Sequence, residues 1–155
     1  MPTPDKFDRQ ILARLQADCR VSSEQLAQAI GLSATAVQRR IKRLREQGVI
    51  SAEVALLDPQ ALGLGVTALV EVELAVASKE ALIDGFKRRM AAHPQVQQCY
   101  YVAGDSDFVL MLVAADMADY ERLSRELFFD DANIRKFRST FVLEATKRSL
   151  AFPLG

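Results

Sequence analysis

The sequence predicts an α+β chain. It divides into a helix-turn-helix over residues 1–50, a linking strand and hinge over 51–65, and a ferredoxin-like β-α-β-β-α-β unit over 66–155. Three observations carry this division. Ser33–Gln47, SATAVQRRIKRLREQ, places Val37, Ile41 and Leu44 on one helical stripe and a run of cations on the other side. A three-residue turn, Gly31-Leu32-Ser33, joins it to the apolar segment before it. Beyond Gly65 the hydrophobic period changes from that of helices to the alternation of strands.

Thr3-Pro4-Asp5 reads as a helix start, with Pro4 tolerated in the first turn and Asp5 and Asp8 favoured by the helix dipole. Phe7, Ile11, Leu12 and Leu15 make the apolar stripe of a helix over roughly residues 4–17. Ser22 with Gln25 has the form of a capping box, and Leu26, Ala27 and Ile30 are the buried side of the second helix. Gly31 suits a left-handed C-cap, Leu32 a plug, and Ser33 the N-cap of the basic helix, which Gly48 closes. On the exposed side fall Thr35, Arg39, Lys42 and Glu46, flanked by Gln38 and Arg43. Taken alone, such a helix is a solvated charged surface. Entered from a tight glycine turn, it suits the major groove of DNA.

Val49–Leu57 is predicted as a strand leaving the head, and Gln60–Gly65 as a hinge. Val66–Val76 alternates as a strand with one wet face. A helix follows over 78–92, beginning at Ser78, with Leu82, Ile83, Phe86 and Met90 inward, and His93-Pro94 ends it. Val96–Ala103 and Phe108–Ala115 are strands around the turn Gly104-Asp105-Ser106-Asp107. Asp116 caps a helix with Tyr120, Leu123 and Leu127 inward, and Ile134–Ala145 is a last strand with Phe137, Phe141 and Leu143 on one face. The helices cover one face of such a sheet. The other face carries apolar residues and calls for a partner, most economically a second copy.

Composition narrows the function. Half of the 155 residues are hydrophobic and 26% are charged, as in a folded soluble protein. No apolar run approaches the ~18 residues of a membrane span, and no leader pattern precedes the first helix, so a cytoplasmic protein with reduced thiols is expected. Cys19, Cys99 and the lone His93 offer no metal set, and no Ser/His/Asp constellation or phosphate loop appears, so no catalytic residue, metal or cofactor is expected. Net charge is zero but unevenly divided. Residues 1–50 hold nine Lys/Arg against five acids, and the other 105 hold eleven against fifteen. A basic head on an acidic body favours polyanion binding at one end.

Several pieces in this order resemble the Lrp/AsnC, or feast/famine, family of transcription regulators over nearly the whole chain. They are Asp5-x-x-Asp8-x-x-Ile11-Leu12; Leu26-Ala27 to Gly31-Leu32-Ser33; Arg40-Ile41-x-x-Leu44-x-x-x-Gly48-Val49-Ile50; Pro94-x-Val96; Gly104-Asp105-x-Asp107; and Thr140-x-Val142-Leu143. The resemblance implies a winged-type helix-turn-helix joined to an effector-binding ferredoxin-like domain, often called RAM. It implies homodimers through the sheets, and tetramers or octamers beyond them. It also implies a small-molecule effector, usually an amino acid, bound between subunits. It carries an effector-binding role to Gly104, Asp105 and Asp107, and with them Tyr101, Ser139 and Thr140. By itself Gly-Asp-Ser-Asp reads first as a tight hairpin, and it is the resemblance that turns it toward a binding role.

On this basis the expected partners are double-stranded DNA, an amino-acid effector and further copies of the chain, with no membrane. Arg39, Lys42 and Arg43 would meet phosphates or guanine edges, and Ser33, Thr35, Ala36 and Gln38 base edges. A two-fold dimer would read half-sites about one turn, roughly 34 Å, apart. Two alternatives are a metabolite sensor whose head no longer binds DNA and a tetrapyrrole decarboxylase-like enzyme. The intact basic helix speaks against the first, and a single histidine against the second.

Overall fold

The computed structural model describes residues 3–77 and 79–154, so Ser78, the expected first residue of the fourth helix, lies outside the described residues. Two compact units form: residues 1–56 together with 147–155, and residues 57–146. The sequence pattern assigned 147–155 to the second unit. The contact that ties this tail to the head is a two-way amide bridge. Gln16 Nε2 donates to the Phe152 carbonyl at 2.8 Å, and the Phe152 N–H donates to Gln16 Oε1 at 3.0 Å.

The head contains α1 (Lys6–Leu15), α2 (Ser23–Ile30) and α3 (Ala34–Glu46). Each begins at a side-chain cap that satisfies an orphan amide: Asp5 for the Asp8 N–H, Ser22 for Gln25 and Ser33 for Ala36. Asp5 caps α1, so Pro4 stands outside the helix rather than in its first turn. Gly31, at φ 74°, turns the chain from α2 toward α3, and its N–H and that of Leu32 both close on the Ala27 carbonyl. A side chain at that φ would be strained. Ile11, Leu26, Ala27, Val37 and Ile41 make the core, with Leu15, Ile30, Leu32 and Ile50 packed around it.

The expected strand over 49–57 does not form, and the described head carries no strand to act as a wing. Among the described residues no strand pairs with this segment, and Val54, Leu56 and Leu57 stand exposed. A strand needs a ladder, and β-rich composition does not supply one.

The second unit contains β1 (Val66–Leu74), α4 (Glu80–Ala92), β2 (Val96–Tyr101), β3 (Phe108–Ala114), α5 (Met117–Ser124) continued by a π-helical turn at Arg125–Phe129, and β4 (Ile134–Phe141). The strands form one antiparallel sheet in the order β2-β3-β1-β4, the ferredoxin-like arrangement. Ala68, Val70, Val72 and Leu74 of β1 and Phe108, Leu110, Leu112 and Ala114 of β3 face the helices. They pack against Ile83, Phe86 and Met90 of α4 and Tyr120, Leu123 and Phe128 of the α5 region.

All four strands are shorter than the sequence suggests, β3 by the single residue Ala115. β1 ends at Leu74, one residue past a register break after Glu73, and the Ala75 and Val76 amides turn to Asn133. β2 ends at Tyr101, because the Val102 N–H closes the hairpin on the Asp107 carbonyl. β4 ends at Phe141 because its neighbour β1 begins at Val66. One further bond, Val142 N–H to the Thr67 carbonyl, completes the pairing, and Leu143 is fully exposed. Leu82, expected inward, is also exposed.

The face of the sheet away from the helices presents Leu69, Glu71 and Glu73 of β1, Val109 and Met111 of β3, and Arg138 and Thr140 of β4. Leu69 and Thr140 are exposed there, and Val109 and Met111 half-buried.

Candidate functional site

Helix α3 separates its two jobs by face. Val37, Ile41 and Leu44 are buried, while Ser33, Thr35, Gln38, Arg39, Lys42 and Arg43 are exposed and Ala36 is half-buried. The seven expected DNA contacts therefore lie along one accessible strip. Its cations are not equivalent. Arg39 forms no ion pair among the described residues, and Lys42 reaches only its exposed helical neighbour Glu46 at 3.8 Å. Arg43 donates through Nη2 to Asp8 Oδ2 at 2.6 Å.

Asp8 is the organising acid of the head. It is 2% exposed and receives Arg40 Nη1 at 2.8 Å, Arg43 Nη2 at 2.6 Å and the Asp5 N–H at 3.1 Å. Asp5 returns the cap to the Asp8 N–H and takes a second bond from Arg40 Nη1 at 2.7 Å. The Asp8 amide first, and then Arg40, hold the Asp5 carboxyl below its ordinary 3.8. The Asp5 and Asp8 carboxylates in turn push the Arg40 guanidinium up. Arg40 also lies 5.5 Å above the Phe7 ring. The Asp5-x-x-Asp8 pattern is thus a bracket between α1 and α3, more than the dipole partner its sequence position suggests. The dipole argument needs only the first turn of α1, whereas the bracket depends on residues more than thirty positions away, which no periodicity reveals.

The second feature is a cavity of about 310 Å³ on the open face of the sheet. Gly104, Asp105 and Ser106 of the β2–β3 turn form one wall. Glu71 and Glu73 of β1, Lys136 and Arg138 of β4, and Val102, Val109 and Phe137 complete the lining. A Cβ on Gly104 would meet nothing within 4 Å, so this wall is open above the backbone.

The expected effector residues divide among different places. Gly104 and Asp105 line the cavity. Asp107 is occupied in holding the turn to β1: its N–H donates to the Val72 carbonyl at 2.9 Å and its Oδ2 accepts from the Leu74 N–H at 2.7 Å. Tyr101 ends β2, its ring 5.0 Å from Phe108 and 4.9 Å beneath Lys87 Nζ. The Ser139 hydroxyl bonds the Tyr120 hydroxyl on the helix-covered side. Thr140 lies on the open face, opposite Leu69.

Sequence reasoning missed Glu71, Glu73, Lys136 and Arg138. The wet positions of β1 flag the two acids, but only the β1–β4 register brings Arg138 against Glu71 and Lys136 against Glu73. His93, the only histidine, is at the end of α4, where it accepts the Gln95 N–H at 3.3 Å and faces Glu126 at 3.4 Å. It does not line the cavity.

The head is thus a helix-turn-helix with an exposed cationic strip on α3, and the sheet unit carries a cavity on its open face. Comparison with known proteins supplies the family. The AsnC-type helix-turn-helix domain matches residues 5–45, and the Lrp/AsnC ligand binding domain matches residues 67–152. The chain belongs to the Lrp/AsnC family of transcriptional regulators. It is 39% identical over 150 residues to an HTH-type transcriptional regulator of Sinorhizobium fredii, covering 97% of this chain and 88% of that protein. An AsnC family regulator from Agrobacterium tumefaciens superposes with a TM-score of 0.90 at 34% identity, covering 97% of each chain. A Neisseria meningitidis regulator, solved as a complex with L-methionine, superposes with a TM-score of 0.89 at 29% identity, covering 98% of this chain and 97% of that one.

Proposed function

We propose that this regulator binds duplex DNA through the exposed strip of α3 and changes its assembly or DNA affinity when an amino acid occupies the cavity at Gly104–Ser106. The observation that carries the first half is the sorting of α3: its apolar stripe is sealed in the head core while Arg39 and Lys42 stay clear of the Asp8 bracket. Arg39 and Lys42 meet phosphates or guanine edges. Ser33, Thr35, Ala36 and Gln38 approach base edges near the helix N-terminus. Arg43 contributes with the part of its guanidinium that Asp8 leaves open. The chain carries out no chemistry of its own under this reading.

The second half is supported by the cavity and by the L-methionine complex of the related Neisseria regulator. Gly104 offers open backbone and Asp105 a carboxylate, while Asp107 fixes the turn that presents them. Thr140 lies on the same face, and Tyr101 and Ser139 act through packing from the other. A second copy covers that face, burying Leu69 and Met111 and enclosing the effector between subunits. Two heads related by a two-fold axis then read half-sites about one DNA turn, roughly 34 Å, apart.

Fluorescence anisotropy of the full chain on a duplex recovered by in vitro selection tests the DNA half. Replacing Arg39 and Lys42 together by Ala should weaken binding at least tenfold without unfolding the head. Unchanged affinity would place the interface elsewhere.

A further inference from the structure

Resting on the reading of the cavity as the effector site, we propose that the effector is an α-amino acid with a cationic side chain. The argument is the charge left over after internal pairing. Glu73 is held by Arg135 and approached by Lys136 at 4.0 Å, so it is neutralised within the β1–β4 pair. What remains in the cavity wall is Glu71, Asp105 and Arg138. Glu71 and Arg138 meet at only 3.4 Å, with both side chains well exposed, so a ligand can separate them at little cost. Asp105 forms no ion pair among the described residues.

Two acids against one base are complemented by two cations and one carboxylate. Arg138 takes the α-carboxylate in its planar fork, Asp105 takes the α-ammonium, and Glu71 takes the side-chain cation. Val102 and Val109 flank the methylene stem, which such side chains readily lay along apolar surface. A neutral amino acid leaves one carboxylate without a partner as the site dries, and an acidic one adds a further negative charge. The volume of about 310 Å³ is at the small end of ligand sites and suits a single amino acid.

The test is thermal unfolding and calorimetric titration of the full-length protein with L-lysine, L-arginine and L-ornithine against L-leucine, L-methionine and L-glutamate. A basic amino acid at about 100 times its Kd should raise the unfolding midpoint by about 5 °C or more. The neutral ones should bind at least tenfold more weakly. Glu71→Gln should unfold at the wild-type temperature without ligand, yet lose about 10–100-fold in affinity for the basic amino acids. Tighter binding of L-leucine or L-methionine, abolished by Asp105→Asn, would overturn the charge assignment and leave the effector site standing. Equal binding of basic amino acids by Glu71→Gln would overturn the role of Glu71. Binding by none of the six would overturn both the assignment and the site.

Discussion

Charge is used in opposite ways in the two units of this chain. In the head, Asp8 is buried and its partners are close and well directed, two arginines and an amide within 3.1 Å. At the cavity of the sheet unit, Glu71 and Arg138 face each other at 3.4 Å in the open and Asp105 has no ion pair among the described residues. The first arrangement is finished: any departure strands a buried carboxylate, so it fixes the crossing of α1 and α3. The second is unfinished, and its free valences are what a charged ligand would complete. The same contrast runs along α3, where Arg40 is absorbed by the bracket and Arg39 is left over. Burial together with saturated hydrogen bonding marks a structural ion pair, and exposure with poor pairing marks a surface available to something else.

Asp8→Ala gives the largest effect expected from this contrast. It leaves Arg40 with only Asp5 and frees Arg43, and it should destabilise the head by about 2–4 kcal/mol, read by denaturant unfolding. A loss below about 0.5 kcal/mol would show that the bracket holds nothing together. Outside the charge contrast, Ile41→Ala sets the apolar reference for the same head and should cost about 2–5 kcal/mol through the cavity left in the core.

Arg43 sharpens the comparison, because it belongs to both classes. Arg43→Ala should lower stability more than Arg39→Ala, and Arg39→Ala should lower DNA affinity more than Arg43→Ala. Measuring both variants by unfolding and by anisotropy checks the crossing of the two orders.

A smaller effect is expected from acid. The Asp5 carboxyl titrates below its unfolded value, so it stabilises the head above about pH 3.8, and that contribution fades as pH falls through the depressed folded value. Asp5→Asn should lower stability above about pH 3.8, converge on the wild type in acid, and so flatten the acid limb of a pH–stability curve without altering its slope on the alkaline side. Gly104→Ala should be smaller still in stability, within about 0.5 kcal/mol, because nothing stands within 4 Å of the added methyl. The same variant should nevertheless reduce amino-acid binding, measured by titration calorimetry.

The parts of this design that were legible in the sequence are the local ones. Capping residues Ser22 and Ser33, the left-handed Gly31 and Gly48, and the Val37-Ile41-Leu44 stripe are decided within one or two helical turns, and they predict the head well. The alternation of β1 and β3 likewise reveals which residues face the helices. What stayed hidden depends on neighbours in space. The segment 49–57 is rich in strand formers but has no ladder, and β4 stops where β1 runs out. Asp8 reads as an ordinary first-turn acid until Arg40 and Arg43 are folded over it. At the cavity, the turn residues Gly104 and Asp105 were visible as a motif. Glu71 and Arg138 become a pair only through the antiparallel register, and Asp107 shows its anchoring bond only once β1 lies beside the turn.

The most direct test of the division within α3 is the salt dependence of DNA affinity. The wild type, Arg39→Ala/Lys42→Ala and Arg40→Lys should be titrated onto the same duplex between 50 and 200 mM salt, roughly the range over which counterion release is resolved. The double variant should lose about 1.8 from the slope of log affinity against log salt, about 0.9 for each phosphate contact, and Arg40→Lys should keep the wild-type slope. A wild-type slope in the double variant, with the loss appearing instead in a folded Arg40→Lys protein, would contradict the assignment of Arg39 and Lys42 to DNA and of Arg40 to the fold.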